Sequence, residues 1–428
     1  MWRGQGRMKI KVYYDGGQRT ISLPQNCHVE TVKPMTVELE KTQDEIIAES
    51  LRAPIDSLTL EEFCSKYTSF LLILNDDARP TPTPRILSHV LPLIKGKDLG
   101  IVVACGTHPP PSEDDIKSII LGEHYESLRS RLKLHDAKGS SFTDMGTTTR
   151  GTRVSINSLV RDFDAIIAIN SIEPHYFAGF TGGRKSFIPG IARYDTIEAN
   201  HSMALLEEAS IMHLNGNPLH EDLEEAARHV SEAVPTFAVN VVLDGSRRVA
   251  GAFAGNIISQ LYVGAELARR LYSSAIEQLP DVLISVVHSP LDQTLYQAQK
   301  GFENCRHALR PGGIMILVAS CHDGIGPTDY AGMMQSGSTV KDLADKFESA
   351  KKNYRLGWHK VGSIPRFLLN NQLWMVSRIG SAELARMHVR GFSDLQDAAY
   401  EALRLKGPNP RIVVVEDSGN VCPVVAGI

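Results

Sequence analysis

The stretch that decides the fold is a short apolar run at residues 165–169 (AIIAI), followed by residues 173–186 (EPHYFAGFTGGRKS). A continuous apolar run of this length is typical of a strand that is buried on both faces of a sheet. The second segment combines a histidine, an arginine, a lysine and three glycines. Glycine lets backbone approach a ligand closely, and loops on a rigid scaffold often carry chemistry. The sequence therefore predicts a functional loop after a buried strand.

The same order of apolar run, polar turn and helix-like segment recurs along the chain. The other runs are residues 69–74, 100–105, 281–287 and 313–319. Ser112 and Asp115 have the spacing of a capping box, which predicts a helix start after the second of these runs. Apolar strands that alternate with helices predict an α/β fold, in which largely parallel sheets are flanked by helices.

The length of 428 residues favours more than one domain. We expect two α/β domains, residues 1–275 and 276–428, because a helix-like stretch ends near Pro280 and a new strand series opens there. The run at 410–415 predicts a last strand that either stays in the second domain or returns to the first. In open α/β sheets ligands bind beyond the carboxyl ends of strands. The active site is expected in the cleft between the two domains.

Composition excludes several classes of protein. The formal net charge is −4, whereas nucleic-acid binding needs a basic face. No apolar run approaches the roughly 20 residues that span a bilayer, and residues 1–7 lack the apolar segment of a signal peptide. The six cysteines are scattered without a C-x-x-C pair, which favours reduced thiols. We expect a cytoplasmic protein with no nucleic-acid or membrane partner; the sequence leaves open whether it forms a homo-oligomer.

The strand ends carry the residue types that a reaction needs. They are Asp76 and Arg79, then His108, then His175 with Lys185, and, after the 281–287 run, His288, Tyr296, Gln297 and Lys300. Any one histidine at a strand end is more often a hydrogen-bonding residue than a catalyst. The repetition at successive strand ends favours a common site.

A phosphate loop is the alternative interpretation of the glycines. The segment from Gly179 to Ser186 approaches G-x-x-x-x-G-K-[ST] but is one residue short and has Arg184 before the lysine. Because a Walker loop needs its spacing to place consecutive N–H groups around phosphates, this departure argues against it. No G-x-G-x-x-G follows the first strands, which disfavours a dissociable NAD cofactor.

These motifs, taken together, resemble the nickel-dependent lactate racemase family. The resemblance is carried by D-x-x-R-P-x-P from residue 76, GTH from 106, the 173–186 segment, Asn200-His201 and LDQ-x-x-YQA-x-KG from residue 291. The motifs are long, occur in order and extend from about residue 10 into the C-terminal domain. The resemblance implies a racemase or epimerase that inverts C2 of a 2-hydroxy acid.

The resemblance also implies an unusual cofactor. It is nickel held by pyridinium-3-thioamide-5-thiocarboxylic acid mononucleotide, a pincer ligand that is covalently attached to Lys185 and supplied by cofactor-maturation enzymes. His201 matches the histidine that completes the nickel coordination, and imidazole with soft sulfur donors suits nickel. Asp76, Tyr296, Gly182 and Gly183 match positions near the cofactor. Lys185 beside Arg184 is predicted to have a lowered pKa.

The family chemistry implies two bases, one for each enantiomer, and His108 and His175 match them. The C2 hydride moves to the cofactor as the hydroxyl proton is removed, and it returns to either face of the flat 2-oxo acid. Histidine suits this role because its ordinary pKa is near 6.5. Arg79, Gln297 and Lys300 match the groups that bind the substrate, whose carboxylate fits a guanidinium fork.

The substrate is left among lactate, malate and a sugar acid. The lactate-selective type places a bulky aromatic residue near the substrate, where Trp358 or His359 stands in this chain. A histidine there favours a larger or more polar acid; the alternative is that both residues pack within a helix. Two other functions stay open, namely a lyase or nucleotide-dependent enzyme of the same fold and a cofactor-binding protein that does not racemise.

Overall fold

A computed structural model describes residues 7–350, 353–407 and 409–426. The expectation about a signal peptide concerns residues that lie, except for Arg7, outside this part. The chain divides into two compact units. One is Thr36–Arg270, here called the loop-bearing unit; the other combines Met1–Met35 with Leu271–Ile428 and is called the discontinuous unit.

The first three strands belong to the discontinuous unit. They are β1 (Arg7–Tyr14), β2 (Gly17–Pro24) and β3 (His28–Val32). β1 and β2 form an antiparallel hairpin. β3 pairs in parallel with a strand near the C-terminus. Residues 7–35 therefore fold with the C-terminal half, which corrects the expected assignment of residues 1–275 to one domain.

The loop-bearing unit contains a six-stranded sheet. Its helices and strands are α1 (Gln43–Arg52), α2 (Leu60–Ser65), β4 (Ser69–Asn75), α3 (Thr83–Val90), β5 (Asp98–Ala104), α4 (Glu113–Asp115), α5 (Tyr125–Leu128), β6 (Leu132–Leu134), β7 (Phe142–Thr147), β8 (Arg153–Asn157), β9 (Ala165–Ser171), β10 (Pro174–His175), β11 (Gly179–Phe180), α6 (Tyr194–Ser202), α7 (Pro218–Ala233), β12 (Thr236–Leu243), β13 (Val249–Gly255) and α8 (Ser259–Tyr272). The sheet order is β13-β12-β9-β4-β5-β6, and only β13 is antiparallel to its neighbour.

The central strands of this sheet are buried along their length, as continuous apolar runs predict. All seven residues of β9 are buried, and β4 is buried from Phe70 onward. The carboxyl ends of β4, β5 and β9 lie at the same edge because the strands are parallel. This edge is where the loops that carry Asp76, His108 and His175 begin. The capping box of Ser112 and Asp115 is confirmed at the start of α4.

The discontinuous unit contains a second six-stranded sheet, with order β18-β17-β16-β15-β19-β3 and all pairs parallel. Its remaining helices and strands are β14 (Ser273–Ile276), β15 (Val282–Val286), α9 (Leu295–Cys305), β16 (Ile314–Val318), α10 (Thr328–Met334), α11 (Val340–Ala350), α12 (Trp358–Leu368), β17 (Gln372–Val376), α13 (Ser381–Ala385), β18 (Arg390–Phe392), α14 (Leu395–Lys406), β19 (Arg411–Val415) and β20 (Cys422–Val425). The last strands stay in this unit, where β19 lies between β15 and β3 and β20 pairs with β14.

The predicted fold class is confirmed, since each unit has a mainly parallel sheet with helices packed on it. Within the described residues, no helix is both long and apolar enough to cross a membrane.

Candidate active site

The loop after β9 forms a small hairpin in which His175 pairs with Gly179 across β10 and β11. A short 3₁₀ helix, Gly183–Ser186, follows and carries Lys185. Its entry requires glycine, because Gly182 and Gly183 have φ of +81° and +51°. The functional loop predicted from the sequence is therefore a compact turn that returns Lys185 toward His175.

The two glycines are also required by close contact with neighbouring protein atoms. A Cβ on Gly182 would lie 2.6 Å from Asn240 Oδ1, and one on Gly183 would lie 2.6 Å from Ile257 O. Gly183 N donates to Asn240 Oδ1 at 3.0 Å. The sequence attributed these glycines to contact with a cofactor, whereas packing inside the protein already accounts for them.

Lys185 and His175 are in direct contact, with 3.0 Å between Lys185 Nζ and His175 Nε2. Burial lowers the pKa of the Lys185 amine well below 10.5, and the charges of Arg79 and Arg184 lower it further. The predicted direction for Lys185 is thus confirmed, although burial rather than Arg184 is its main cause. Burial followed by Lys185 and Arg79 lowers the pKa of His175 well below 6.5. Both groups therefore favour their neutral forms.

The tautomer of His175 follows from its other ring nitrogen. Ala178 N donates to His175 Nδ1 at 3.4 Å, so the neutral ring carries its proton on Nε2. His175 Nε2–H then donates to the neutral amine of Lys185. The single lone pair of the Lys185 amine accepts this hydrogen bond, and it becomes available to an electrophile when the contact opens.

His108 has the opposite tautomer to His175, with its proton on Nδ1. Its Nδ1 lies 2.7 Å from Asp76 Oδ2, so it donates to this carboxylate and leaves the lone pair on Nε2. The His108 side chain is 54% exposed, whereas that of Asp76 is 6% exposed. A buried carboxylate that orients a histidine is the usual support of a general base. Asp76 was expected near a cofactor; the structure places it on His108.

His201 lies on α6 beside the same loop. The ring of Phe177 is 5.1 Å from the His201 ring and 5.4 Å from Lys185 Nζ, so both residues lie against one phenyl group. His201 Nδ1 lies 3.2 Å from Asn200 Oδ1. Donation to this amide oxygen places the imidazole lone pair on Nε2, which is the form that binds a metal. Asn200 is itself held by Asp222, whose Oδ2 accepts from Asn200 Nδ2 at 2.7 Å.

Sequence reasoning missed Asp222 and two further supports of the loop, Asn217 and His220. All three side chains are fully buried. Asn217 followed by Pro218 is a recognisable helix start, because Asn caps helices and Pro favours the first helical position. That signal predicts α7 but not the residues that its first turns contact.

Three further predicted residues lie in the discontinuous unit, on α9. Tyr296, Gln297 and Lys300 share one partly exposed face of this helix, while Ala298 and Phe302 are buried. Thr294 caps the helix by accepting from Gln297 N at 3.2 Å. The structure thus groups these three side chains with one another, as their spacing requires.

Lys360 and Tyr330 restrain Tyr296. Lys360 Nζ lies 3.5 Å from the Tyr296 ring centroid and donates to Tyr296 O at 2.9 Å. The Tyr330 ring meets the Tyr296 ring edge-on at 5.1 Å. Such contacts fix the direction of an aromatic side chain.

Trp358 and His359 occupy the first turn of α12. His359 Nδ1 lies 2.6 Å from Tyr354 Oη, and the two rings are stacked. Both Trp358 and His359 are partly exposed. Both are helix residues, and a place for either of them near the substrate stays a prediction.

Another cluster with metal-ligand chemistry lies in the discontinuous unit. It consists of His28, Glu30 and Glu277, whose ligand atoms lie within 4.8 Å of one another. Arg411 Nη1 lies 2.9 Å from Glu30 Oε1, 3.0 Å from Glu277 Oε2 and 3.3 Å from His28 Nε2. A guanidinium therefore already supplies the positive charge that this cluster attracts.

Two family models match most of the chain. Residues 14–213 match the lactate racemase N-terminal domain, and residues 277–423 match the lactate racemase C-terminal domain. A lactate racemase of Lactiplantibacillus plantarum is 30% identical over 386 residues, which cover 88% of this chain and 90% of the relative. One of Thermoanaerobacterium thermosaccharolyticum is 28% identical over 399 residues, 91% of this chain and 92% of the relative.

The fold agrees as well. The structure of the lactate racemase apoprotein from T. thermosaccharolyticum superposes with a TM-score of 0.88 at 26% identity, covering 97% of this chain and all of that one. The chain therefore belongs to the lactate racemase family and is a racemase, an enzyme of the isomerase class.

Proposed function

We propose that this enzyme inverts C2 of a small 2-hydroxy acid with a nickel-pincer nucleotide covalently attached to Lys185. The observation that carries the proposal is the 3.0 Å contact of Lys185 Nζ with His175 Nε2 inside a loop where both are neutral. Lactate is the first substrate to consider because two relatives are lactate racemases. Malate and sugar acids are the larger alternatives.

The residues fit the cofactor that the resemblance implies. A neutral, partly exposed Lys185 amine is a nucleophile that can form a covalent bond. His201 presents Nε2 for coordination because its Nδ1 faces Asn200, and imidazole beside sulfur donors suits nickel. When bound, the group supplies a site that accepts the C2 hydride and returns it. Loading requires the enzymes that make this nucleotide.

His108 serves as one base. Asp76 fixes its proton on Nδ1 and stabilises the imidazolium that forms when Nε2 removes the substrate hydroxyl proton. The exposed position of His108 lets a substrate hydroxyl reach Nε2. The buried carboxylate keeps the ring in one orientation, so the reacting nitrogen is set before substrate binds.

His175 is the other acid–base group. Its Nε2 faces the Lys185 amine, and as an imidazolium it can return a proton to the oxygen of the flat 2-oxo acid and become neutral. In each turnover the histidine that removes the hydroxyl proton starts neutral, and the one that returns a proton starts as the imidazolium. The opposite enantiomer reverses these roles, and each direction of the reaction needs both residues.

Arg79 is assigned to the substrate carboxylate. Its charge acts on both His175 and Lys185, which supports its presence at the reacting centre. A planar guanidinium can bind a carboxylate through two parallel hydrogen bonds. The assignment of Tyr296 to the cofactor and of Gln297 and Lys300 to the substrate rests on the family resemblance alone.

We further propose a cytoplasmic location, supported by six buried cysteines that are free thiols. The function is tested by incubating the loaded enzyme with each enantiomer of lactate, malate and a sugar acid and following optical rotation. Interconversion of one acid from both enantiomers supports the proposal. Loss of substrate to a dehydrated product would instead support the lyase, and binding without turnover would support the cofactor-binding protein.

A further inference from the structure

The first turns of α7 carry three buried polar side chains, Asn217, His220 and Asp222, here called the α7 platform. Asn217 caps the helix by accepting from the backbone N–H groups of Leu219 and His220. None of the three was assigned a role from the sequence. Each contacts a different segment of the candidate active site.

His220 reaches the loop through Arg184. Arg184 is fully buried, and its Nε donates to His220 Nδ1 at 3.1 Å. Its two other nitrogens donate to the carbonyls of Ala178 and Phe180 at 2.7 and 2.9 Å. Two longer contacts reach the carbonyls of Thr181 and Gly182 at 3.3 and 3.2 Å. The Arg184 guanidinium thus binds several carbonyls of the backbone that joins His175 to Lys185.

The hydrogen-bond partners of His220 fix its tautomer, and so determine which ring nitrogen is the acceptor. Because Nδ1 accepts from Arg184, the neutral ring carries its proton on Nε2, which lies 3.1 Å from Tyr262 Oη. Tyr262 in turn donates to Glu224 Oε2 at 2.9 Å. Burial and the charge of Arg184 lower the pKa of His220 to about 4. The ring is therefore neutral at the pH of the cell, and its Nδ1 remains an acceptor.

Asn217 and Asp222 hold neighbouring segments of the candidate active site. Asn217 Nδ2 donates to Phe177 O at 2.9 Å, inside the same loop. Asp222 Oδ2 accepts from Asn200 Nδ2 at 2.7 Å, and Asn200 Oδ1 faces His201 Nδ1. The N-terminal end of α7 therefore holds three groups of the candidate site. They are the backbone at Phe177, the guanidinium of Arg184 and the amide of Asn200.

We propose that the α7 platform is a set of positioning residues that holds Lys185 against His175 and fixes the ring orientation of His201. What Lys185 and His201 do rests on the proposed function, whereas their positioning rests on these contacts. Side chains that are locked by a second set of hydrogen bonds keep a reacting group within the tolerance that catalysis needs.

The test compares His220→Asn with His220→Gln. The Asn side-chain oxygen stands near the place of imidazole Nδ1 and can accept from Arg184, whereas Gln reaches toward the place of Nε2. The measurement is the pH midpoint for acetylation of Lys185 by acetic anhydride, followed by peptide mass spectrometry on protein made without the cofactor-synthesis enzymes. The groups that face this amine are Arg79, His175 and Arg184.

We expect His220→Asn to keep the midpoint of the unsubstituted protein and His220→Gln to shift it upward, because a looser loop exposes Lys185 to water. Glu221→Gln is the matched control, since Glu221 lies on the same turn but pairs with exposed Arg150. If His220→Gln does not fold, Asn217→Ser replaces it with the same expected shift, because serine keeps a helix cap but lacks the amide donor to Phe177 O.

Equal midpoints in all these proteins, or equal shifts in both His220 variants, would overturn the positioning role. The outcome is separate from the proposed function. If Lys185 never acquires a cofactor adduct but its midpoint still moves as expected, the proposed function fails and the positioning role stands. In loaded enzyme, His220→Gln should lower kcat more than it raises KM, because the platform makes its hydrogen bonds to the loop and to Asn200.

Discussion

Lys185 Nζ lies 3.0 Å from His175 Nε2, and neither residue is favoured in its charged form. Two bases this close, near Arg79 and Arg184, would repel each other if both were protonated. The pair is consistent with a donor–acceptor contact between a neutral imidazole and a neutral amine. The fold therefore holds an uncharged lysine amine against an imidazole.

Burial of its amine, together with the charges of Arg79 and Arg184, should make Lys185 destabilising at neutral pH. The pKa of Lys185 is lower in the folded state, so the unfolded chain binds more protons between that lowered value and 10.5. Stability therefore rises with pH across this window, and each pKa unit corresponds to about 1.4 kcal/mol. Lys185→Met should raise the free energy of unfolding at pH 7 and raise it less at pH 10.

Urea unfolding of the unloaded protein at the two pH values measures the effect. Lys138→Met is the control, because Lys138 is exposed. A gain for Lys185→Met that is as large at pH 10 as at pH 7 would contradict the assignment of a neutral amine.

The pairing of His108 with Asp76 predicts a second result. Asp76→Asn should lower kcat in both directions by about 100- to 10,000-fold, because an amide no longer fixes the Nδ1–H tautomer or stabilises the imidazolium. His108→Ala and His175→Ala should each abolish interconversion from either enantiomer. Asp77→Asn is the matched control, since Asp77 is the exposed neighbour of Asp76. Racemisation that survives in either alanine variant would rule out a scheme with two acid–base groups.

Arg79 should act mainly on binding. Arg79→Lys keeps a positive charge but loses the fork that can hold a carboxylate through two hydrogen bonds, so KM should rise. The loss in kcat/KM should correspond to about 1.5–3 kcal/mol, the usual contribution of a hydrogen bond to a charged group. Initial rates over a range of substrate concentrations measure both constants. Arg193→Lys provides the comparison at an exposed arginine of the same unit, and an unchanged KM in Arg79→Lys would remove Arg79 from the carboxylate site.

The support of His201 gives a prediction about metal retention. Asp222→Ala removes the acceptor of Asn200 Nδ2, so the amide beside His201 loses its fixed orientation. Losses of supports of this kind weaken metal binding by about 10- to 100-fold. Nickel remaining in the loaded variant after dialysis against a chelator, measured by mass spectrometry, should fall relative to Glu221→Gln. Equal retention in the two proteins would show that His201 does not depend on this support.

The sequence predicted the parts of this molecule that local pattern determines. Residues 165–169 had to form a buried strand, and the composition of 173–186 marked the loop before its geometry was known. The pairing of β3 with β19 was not predictable, because the HVETV segment at 28–32 is polar and its partner is almost 400 residues away. Local sequence pattern does not predict strand pairing over such a distance. Residues 7–35 were assigned to the wrong unit for this reason.

The candidate site shows the same limit. The positions of Lys185 and His175 follow from the loop, whereas the role of Asp76 as partner of His108 depends on two neighbouring parallel strands ending together. His220 and Asp222 lie on a helix whose start is recognisable, but their partners Arg184 and Asn200 are brought to them by tertiary folding. Buried polar pairs of this kind are determined by the assembled fold.

The central claim is that Lys185 carries the nickel-pincer nucleotide. The most direct measurement is metal content together with peptide mass spectrometry on enzyme produced with the cofactor-synthesis enzymes. The account predicts about one nickel per chain and a mass adduct on Lys185, with both lost in Lys185→Ala. Full racemase activity in protein whose Lys185 is unmodified would contradict it.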